Sequence, residues 1–273
     1  MNFPMRLNRY LSACGYGSRR GVEALITEGR VKVNGQTTPN LGTHVEAGDT
    51  VLVNGREAKL EKDMVIALHK PRGYVCTRED EKDRRTIYDL LPPQFHTLHH
   101  IGRLDLDSSG LILLTNRGDI SFQLTHPRHG VEKEYDVTLE EPFEEAKLPK
   151  LVKGMMTPEG YAKAERAWMV SPTRIGLVLK QGLKRQIRHM IYQSGNEVER
   201  LTRVRIGTVL LKGMAEGSWR ELGESEIRRL MAPVVGKAKK AEGAEAPAKA
   251  REDRPKRSGP RKAGRSQKRR DPR

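Results

Sequence analysis

Two carboxylates stand two residues apart in a polar loop. They are Asp105 and Asp107, in the run Ile101-Gly102-Arg103-Leu104-Asp105-Leu106-Asp107-Ser108-Ser109-Gly110. The loop leads directly into Leu111-Ile112-Leu113-Leu114-Thr115, whose continuous apolar character reads as a buried strand. A carboxylate at the mouth of such a strand is held in a reproducible position. Once ionised, it can add to an electrophilic carbon or accept a proton. From spacing alone the pair also suits a metal site or a turn, because Asp is a common loop residue. His99 and His100 lie just upstream. The eight histidines and two cysteines nevertheless form no ligand quartet at usable spacing, so no metal is expected. Gly15-Tyr16-Gly17 with Gly21 approaches a dinucleotide fingerprint, but the spacing is one residue too long and a helical pattern precedes it. These are read as turn glycines.

The elements that must position the aspartates belong to a unit spanning residues 64–233. It opens with a strand, Met64–Leu68, followed by His69-Lys70-Pro71-Arg72-Gly73. Further strands are expected at Leu111–Thr115, Glu134–Leu139 and Ile175–Lys180. Helices are expected near Phe143–Val152, Lys184–Ser194 and Ser225–Met231. Strands and helices mingle without a regular βαβ repeat. That favours an α+β fold, a mixed or antiparallel sheet with flanking helices.

Residues 1–60 read as a separate small module, joined through a charged linker at Leu60–Asp63. Leu7, Tyr10, Leu11 and Cys14 recur at helical spacing, and Gly15 and Gly17 break the pattern. Ser18 is read as the N-cap of a second helix that buries Val22, Leu25 and Ile26 and ends at Gly29. The strands Arg30–Val33 and Thr50–Val53 each run into an Asn-Gly turn. The first 22 residues are rich in arginine and hold no acid. An organelle transit peptide has the same bias, but here the segment has its own place in a folded unit.

These motifs carry a resemblance. Arg-Leu-Asn-Arg-Tyr-Leu, Gly-Tyr-Gly-Ser-Arg-Arg and Glu-Gly-Arg-Val-Lys-Val-Asn-Gly resemble the RNA-binding module first defined in ribosomal protein S-four. That likeness makes Arg6, Ser18, Arg19, Arg20, Lys32 and Asn34 the candidate RNA contacts of the module. Gly-Arg-Leu-Asp-x-Asp-Ser-Ser-Gly-Leu-x-Leu-Leu-Thr-Asn is similar to the signature of RNA pseudouridine synthases of the RsuA, RluB, RluE and RluF group. His69–Gly73, Glu132–Tyr135, Gly182–Met190 and Leu201–Gly207 resemble that group's other segments, in its order. Arg117 and His189 depart from the residues common at their positions.

The resemblance implies isomerisation of uridine to pseudouridine by base flipping, with no cofactor. It assigns the acting carboxylate to Asp105, with Asp107 as the rival. Attack on the base and attack on the ribose both remain open. Arg188 is implied to pair with Asp105, and Tyr135 to stack on the target base and move a proton. Arg103, Lys133 and Arg185 complete the candidate RNA contacts. Among substrates the likeness is greatest to the large-subunit ribosomal RNA members of the group. A small-subunit RNA or tRNA target, or a non-catalytic role in ribosome assembly, are the alternatives.

Composition agrees with a polyanionic partner. The chain of 273 residues carries 51 Lys and Arg against 35 Asp and Glu, a net charge of +16. Of this, +10 lies in residues 236–273, which hold no Val, Ile, Leu, Met, Phe, Tyr or Trp. Such a segment is expected to be a disordered basic tail attracted to nucleic acid. No run of about 18 apolar residues exists, so no spanning helix or membrane partner is expected. Two cysteines fit a reducing, cytoplasmic setting, and the protein is expected to act as a monomer.

Overall fold

The computed structural model describes residues 3–232. The basic segment 236–273 lies outside them. The N-terminal module closes around its own core, in which Leu7, Leu11, Val22, Ile26, Val31, Val45, Val51 and Val53 are buried. Its first helix, Leu7–Ala13, buries Leu7, Tyr10 and Leu11 as the spacing requires. The Tyr10 hydroxyl donates to Ala58 O at 3.0 Å, fastening that helix to the end of the module. Cys14, expected on the apolar face, is half-buried at the helix end. The strands Val31–Val33 and Val51–Val53 pair antiparallel. Asn34 and Asn54 both adopt positive φ, each followed by a positive-φ glycine, as a type I′ turn demands.

One expectation in the module is corrected. Ser18 does not cap the second α-helix, which spans only Glu23–Thr27 with Val22 before it. Its hydroxyl instead accepts from the Gly21 N–H at 3.0 Å, and its carbonyl accepts from the Val22 N–H. The serine therefore organises the turn that delivers the chain to the helix.

The larger unit is built on a nine-stranded sheet. Its main path runs Arg166–Ser171, Arg174–Leu179, Lys133–Leu139, Val198–Ile206, Ser109–Thr115, Val65–Lys70 and Trp219–Glu221. Neighbours pair antiparallel except Val198–Ile206 and Ser109–Thr115, which pair in parallel. The α+β, mixed-sheet reading is correct. Val65–Lys70 and Ser109–Thr115 are buried along their whole length, which explains the unbroken apolar runs at Val65–Leu68 and Leu111–Leu114. Lys133–Leu139 alternates instead, burying Tyr135, Val137 and Leu139.

The sheet has apolar layers on both faces. One contains Ile66, Leu68, Ile112, Leu114, Tyr135, Val137 and Leu177, covered by Ile187, Met190 and Ile191. The other contains Val65, Ala67, Leu111, Leu113 and Ile206, covered by Ile120, Leu124 and Leu230. Two expected helices are shorter than their patterns. Phe143–Val152 resolves into a 3-10 turn at Glu145–Lys147 and a helix at Leu148–Lys153. The expected Lys184–Ser194 helix spans Gln186–Tyr192, because Arg185 adopts the left-handed conformation immediately before it (φ 51°).

Candidate active site

A single row across the sheet organises the site. Lys70 pairs with Gly110, Gly110 with Arg203, Arg203 with Tyr135, and Tyr135 with Leu177. Cross-strand partners share a face, so this row continues the face of Ile66, Leu68, Ile112 and Val137. Apolar side chains give way there to an ammonium, a guanidinium and a phenol. The row needs glycine at position 110. Its φ is +111°, and a Cβ there would meet Arg203 O at 2.3 Å and Arg203 N at 2.5 Å. Only a residue without a side chain permits the parallel strands to approach so closely.

The loop before Gly110 carries both aspartates, and its backbone is fixed from several sides. Lys70 is 0% exposed, and its Nζ donates to Pro71 O at 3.0 Å, Asp105 O at 3.1 Å and Ser108 O at 2.7 Å. The Ser108 N–H donates to Asp105 O at 3.1 Å, and the Gly73 N–H to Leu106 O at 2.8 Å. Leu104 is buried, with its backbone against Cys76 Sγ at 3.4 Å. Asp105 is thus a half-buried carboxylate on an immobilised backbone. Burial pushes Lys70 down to about 8, although Asp105 and Asp107 both favour its charged form.

The guanidiniums do not fall where the resemblance placed them. Arg188 was expected to pair with Asp105. Its Nη2 instead lies 3.1 Å from Asp107 Oδ2, and the same nitrogen donates to Asp107 O at 3.2 Å. Arg188 Nη1 donates to Val198 O at 2.8 Å. Arg185 reaches the same carboxylate at 3.2 Å. The reason is how the Gln186–Tyr192 helix docks. Ile187 and Ile191 are buried in the face layer, and this turns Arg188 toward the 107 end of the loop. Among the described residues, Asp105 makes no ion pair and its side chain makes no hydrogen bond.

Tyr135 is 9% exposed, and its hydroxyl makes no hydrogen bond among the described residues. Its Cα lies two strand spacings from Gly110, about 10 Å. Lys133 lies two residues earlier on the same strand and so on the same face. Burial pushes it down to about 8, assisted by the Arg203 charge. Arg103 projects into solvent just before Leu104.

The candidate contacts of the N-terminal module, Arg6, Ser18, Arg19, Arg20, Lys32 and Asn34, are all exposed. Asn34 is already engaged: its amide donates to Asp49 at 2.8 Å and its Oδ1 accepts from the Thr50 N–H.

Two structural anchors of the loop, Lys70 and Arg203, stood in the sequence only as members of the His69–Gly73 and Leu201–Gly207 segments, with no role of their own. A lysine that ends a run of buried strand residues was the available signal for the first. A strand with three arginines, Val198–Ile206, concealed the second.

The chain matches the family model for RNA pseudouridylate synthase over residues 64–193 and that for the S4 domain over residues 5–51. It is 35% identical over 233 residues to the ribosomal large subunit pseudouridine synthase B of Bacillus subtilis, covering 83% of this chain and 96% of that protein. It is 39% identical over 226 residues to the dual-specificity RNA pseudouridine synthase RluF of Escherichia coli, covering 82% and 77%. A crystal structure of a pseudouridylate synthase superposes with a TM-score of 0.61 at 30% identity, covering 83% of this chain and 99% of that one. With its S4 domain, its mixed sheet and this likeness along most of its length, the chain belongs to the RNA pseudouridine synthases, in the group of RsuA, RluB and RluF.

Proposed function

We propose that this enzyme isomerises a specific uridine of large-subunit ribosomal RNA, with Asp105 as the nucleophile. One observation carries the reading. Asp105 is a half-buried carboxylate, free of any ion pair among the described residues, on a loop whose backbone a buried lysine holds at two carbonyls. A carboxylate so placed is available to attack carbon, and its position does not have to be found anew in each turnover. The reaction exchanges the N1–C1′ glycosidic bond for a C5–C1′ bond. N1 gains a proton and C5 loses one, so no oxidant, donor or cofactor enters the balance.

A uridine within folded RNA is out of reach and must be flipped, at a cost of a few kcal/mol. Tyr135, two strands from Gly110, offers a π-face and a phenol to the flipped base. Arg188 and Arg185 hold Asp107, which keeps the second carboxylate away from the reacting carbon and braces the loop. Arg103 and Lys133 line the approach as phosphate or base contacts. Residues 1–60 grip structured RNA through Arg6, Arg19, Arg20 and Lys32, and residues 64–233 perform the chemistry. Relatives named for the large ribosomal subunit support the choice of RNA. One chain carries Asp105, Tyr135 and Arg188, which suits a monomer. Both cysteines are free, which suits the cytoplasm.

Mapping pseudouridines in ribosomal RNA from cells lacking the gene tests the substrate. One large-subunit position should revert to uridine, and restoring the gene should restore it. Loss in small-subunit RNA or tRNA instead would move the target. Tritium release from RNA labelled at uridine C5 separates an isomerase from a non-catalytic assembly factor, which releases none.

A further inference from the structure

One buried charge on the same sheet face has no task in this scheme. Arg203 is 2% exposed. Its Nε donates to Leu111 O at 2.7 Å and its Nη1 to Arg103 O at 3.4 Å. Its Nη2 is buried with no partner among the described residues. The other arginines of the strand behave differently: Arg200 pairs with Glu216, and Arg205 with Glu132 and Glu134.

A buried guanidinium without a carboxylate is a poor choice for stability alone, because carbonyls offset only part of its desolvation. Leu201, Val137 and Leu177 surround that face, and an apolar side chain would complete it. The two carbonyls that Arg203 holds explain its presence better. Arg103 and Leu111 are the entry and exit of the segment that carries Asp105. Lys70 holds the middle of the same segment at Asp105 O and Ser108 O. The Arg203 backbone also lies against Gly110, so close that no Cβ fits between them. The forked side chain reaches the two carbonyls through two separate nitrogens, Nε and Nη1, and the single terminal nitrogen of a lysine at this position does not reproduce that span. The charge of Arg203 is also felt by Lys70 and Lys133, pushing both ammonium groups downward.

We propose that Arg203 is a positioning residue for the isomerisation: its guanidinium ties together the two ends of the 103–111 segment and so holds the Asp105 carboxylate in register with Tyr135 across the sheet. This rests on the reading of Asp105 as the nucleophile.

The test uses full-length Arg203→Lys, Arg203→Met, Arg205→Met and Asp105→Asn. Each is assayed for kcat and KM by tritium release from transcribed large-subunit RNA labelled at uridine C5. RNA binding and thermal unfolding are measured alongside. A displacement of about 1 Å in a reacting group costs about a hundredfold in rate. Arg203→Lys keeps the charge but not the span, so its kcat should fall by about that factor. Its KM and RNA affinity should stay within about threefold, a minor change on the free-energy scale. Arg203→Met should lose at least as much kcat. Arg205→Met, on the same strand, should keep kcat within about threefold, since it holds no part of the loop.

Arg203→Lys at wild-type kcat overturns the proposal. So does a loss confined to KM, or an equal loss in Arg205→Met, which would report weakening of the strand. If neither Arg203 variant folds, the residue is needed for folding rather than positioning, and the proposal fails. An active Asp105→Asn would sink the nucleophile assignment whatever Arg203 does. An inactive Asp105→Asn beside a fully active Arg203→Lys would remove the positioning role alone.

Discussion

The N-terminal module and the catalytic sheet dispose of positive charge in opposite ways. Arg6, Arg9, Arg19, Arg20 and Lys32 stand in solvent and make no ion pair among the described residues. Lys70 and Arg203 are buried and spend their donors on backbone carbonyls of one loop. The difference is one of desolvation. A cation left in water meets an incoming phosphate and releases counterions, and its contribution is salt-dependent. A cation taken out of water must be satisfied by the fold, and what it then governs is geometry. The first kind recruits RNA, and the second fixes the group that acts on it.

The sharpest way to break the second region is at Gly110. Gly110→Ala forces a Cβ into the Arg203 backbone, with no flexible side chain to move aside. The loss should exceed about 4 kcal/mol and leave little folded catalytic unit at 37 °C. Thermal unfolding checks this. A variant that melts near wild type would show that the parallel pair is looser than described.

Lys70→Met comes next. It leaves Ser108 O and Pro71 O without the lysine donor, while Asp105 O keeps the Ser108 N–H, at a cost of about 1–3 kcal/mol for each group left unsatisfied. The variant should fold with a lowered melting temperature and lose most of its turnover. RNA affinity should remain close to wild type.

How much of this was legible in the sequence divides along the same line. The module could be read because its apolar residues follow helix and strand periods and its turns are Asn-Gly. The exposed arginines were visible as charge. The central strand Ser109–Thr115 was legible from its unbroken apolar run. The strand Val198–Ile206 was not, since Glu199, Arg200, Arg203 and Arg205 disguise it, and burial of Arg203 depends on carbonyls brought in from residues 103 and 111. The helix Gly118–Thr125 also escaped, for it buries only Ile120 and Leu124. The pairing of Arg188 could not be settled by spacing. Asp105 and Asp107 lie in one loop, and which of them meets the guanidinium is decided by how the Gln186–Tyr192 helix docks.

Alkaline pH should separate stability from activity at Lys70. Its folded value of about 8 lies below the ordinary lysine value of 10.5, so between those limits the unfolded chain binds more protons. Stability contributed at this site therefore rises with pH across that window. Turnover should move the other way, because a neutral amine has two donors for three carbonyls. From pH 7.5 to 9.5, roughly the titration range expected here, wild type should gain stability relative to Lys70→Met while its kcat declines. A flat kcat across that range would remove the ammonium from the account.

The module gives the smallest effect on turnover. Replacing Arg19 and Arg20 together by Ala should weaken RNA binding by about tenfold, or 1.4 kcal/mol. The salt dependence should become shallower, and kcat at saturating RNA should hardly change. Removing residues 236–273, with their net charge of +10, should weaken binding to many RNAs alike. A tail deletion that redirects modification to other uridines, with the double arginine variant silent, would invert the division between the two.

The central claim is that Asp105, and not the arginine-bound Asp107, reacts with the substrate. Turnover and RNA affinity of Asp105→Asn and Asp107→Asn, measured side by side by tritium release and equilibrium binding, test it directly. The amide keeps the shape and most of the hydrogen bonding but is no nucleophile. Asp105→Asn should lose about a thousandfold or more in kcat with RNA affinity within about threefold of wild type. Asp107→Asn should lose about tenfold, through a loosened contact with Arg185 and Arg188. An Asp105→Asn enzyme that retains even about a tenth of its turnover, or a larger loss in Asp107→Asn, would contradict the assignment.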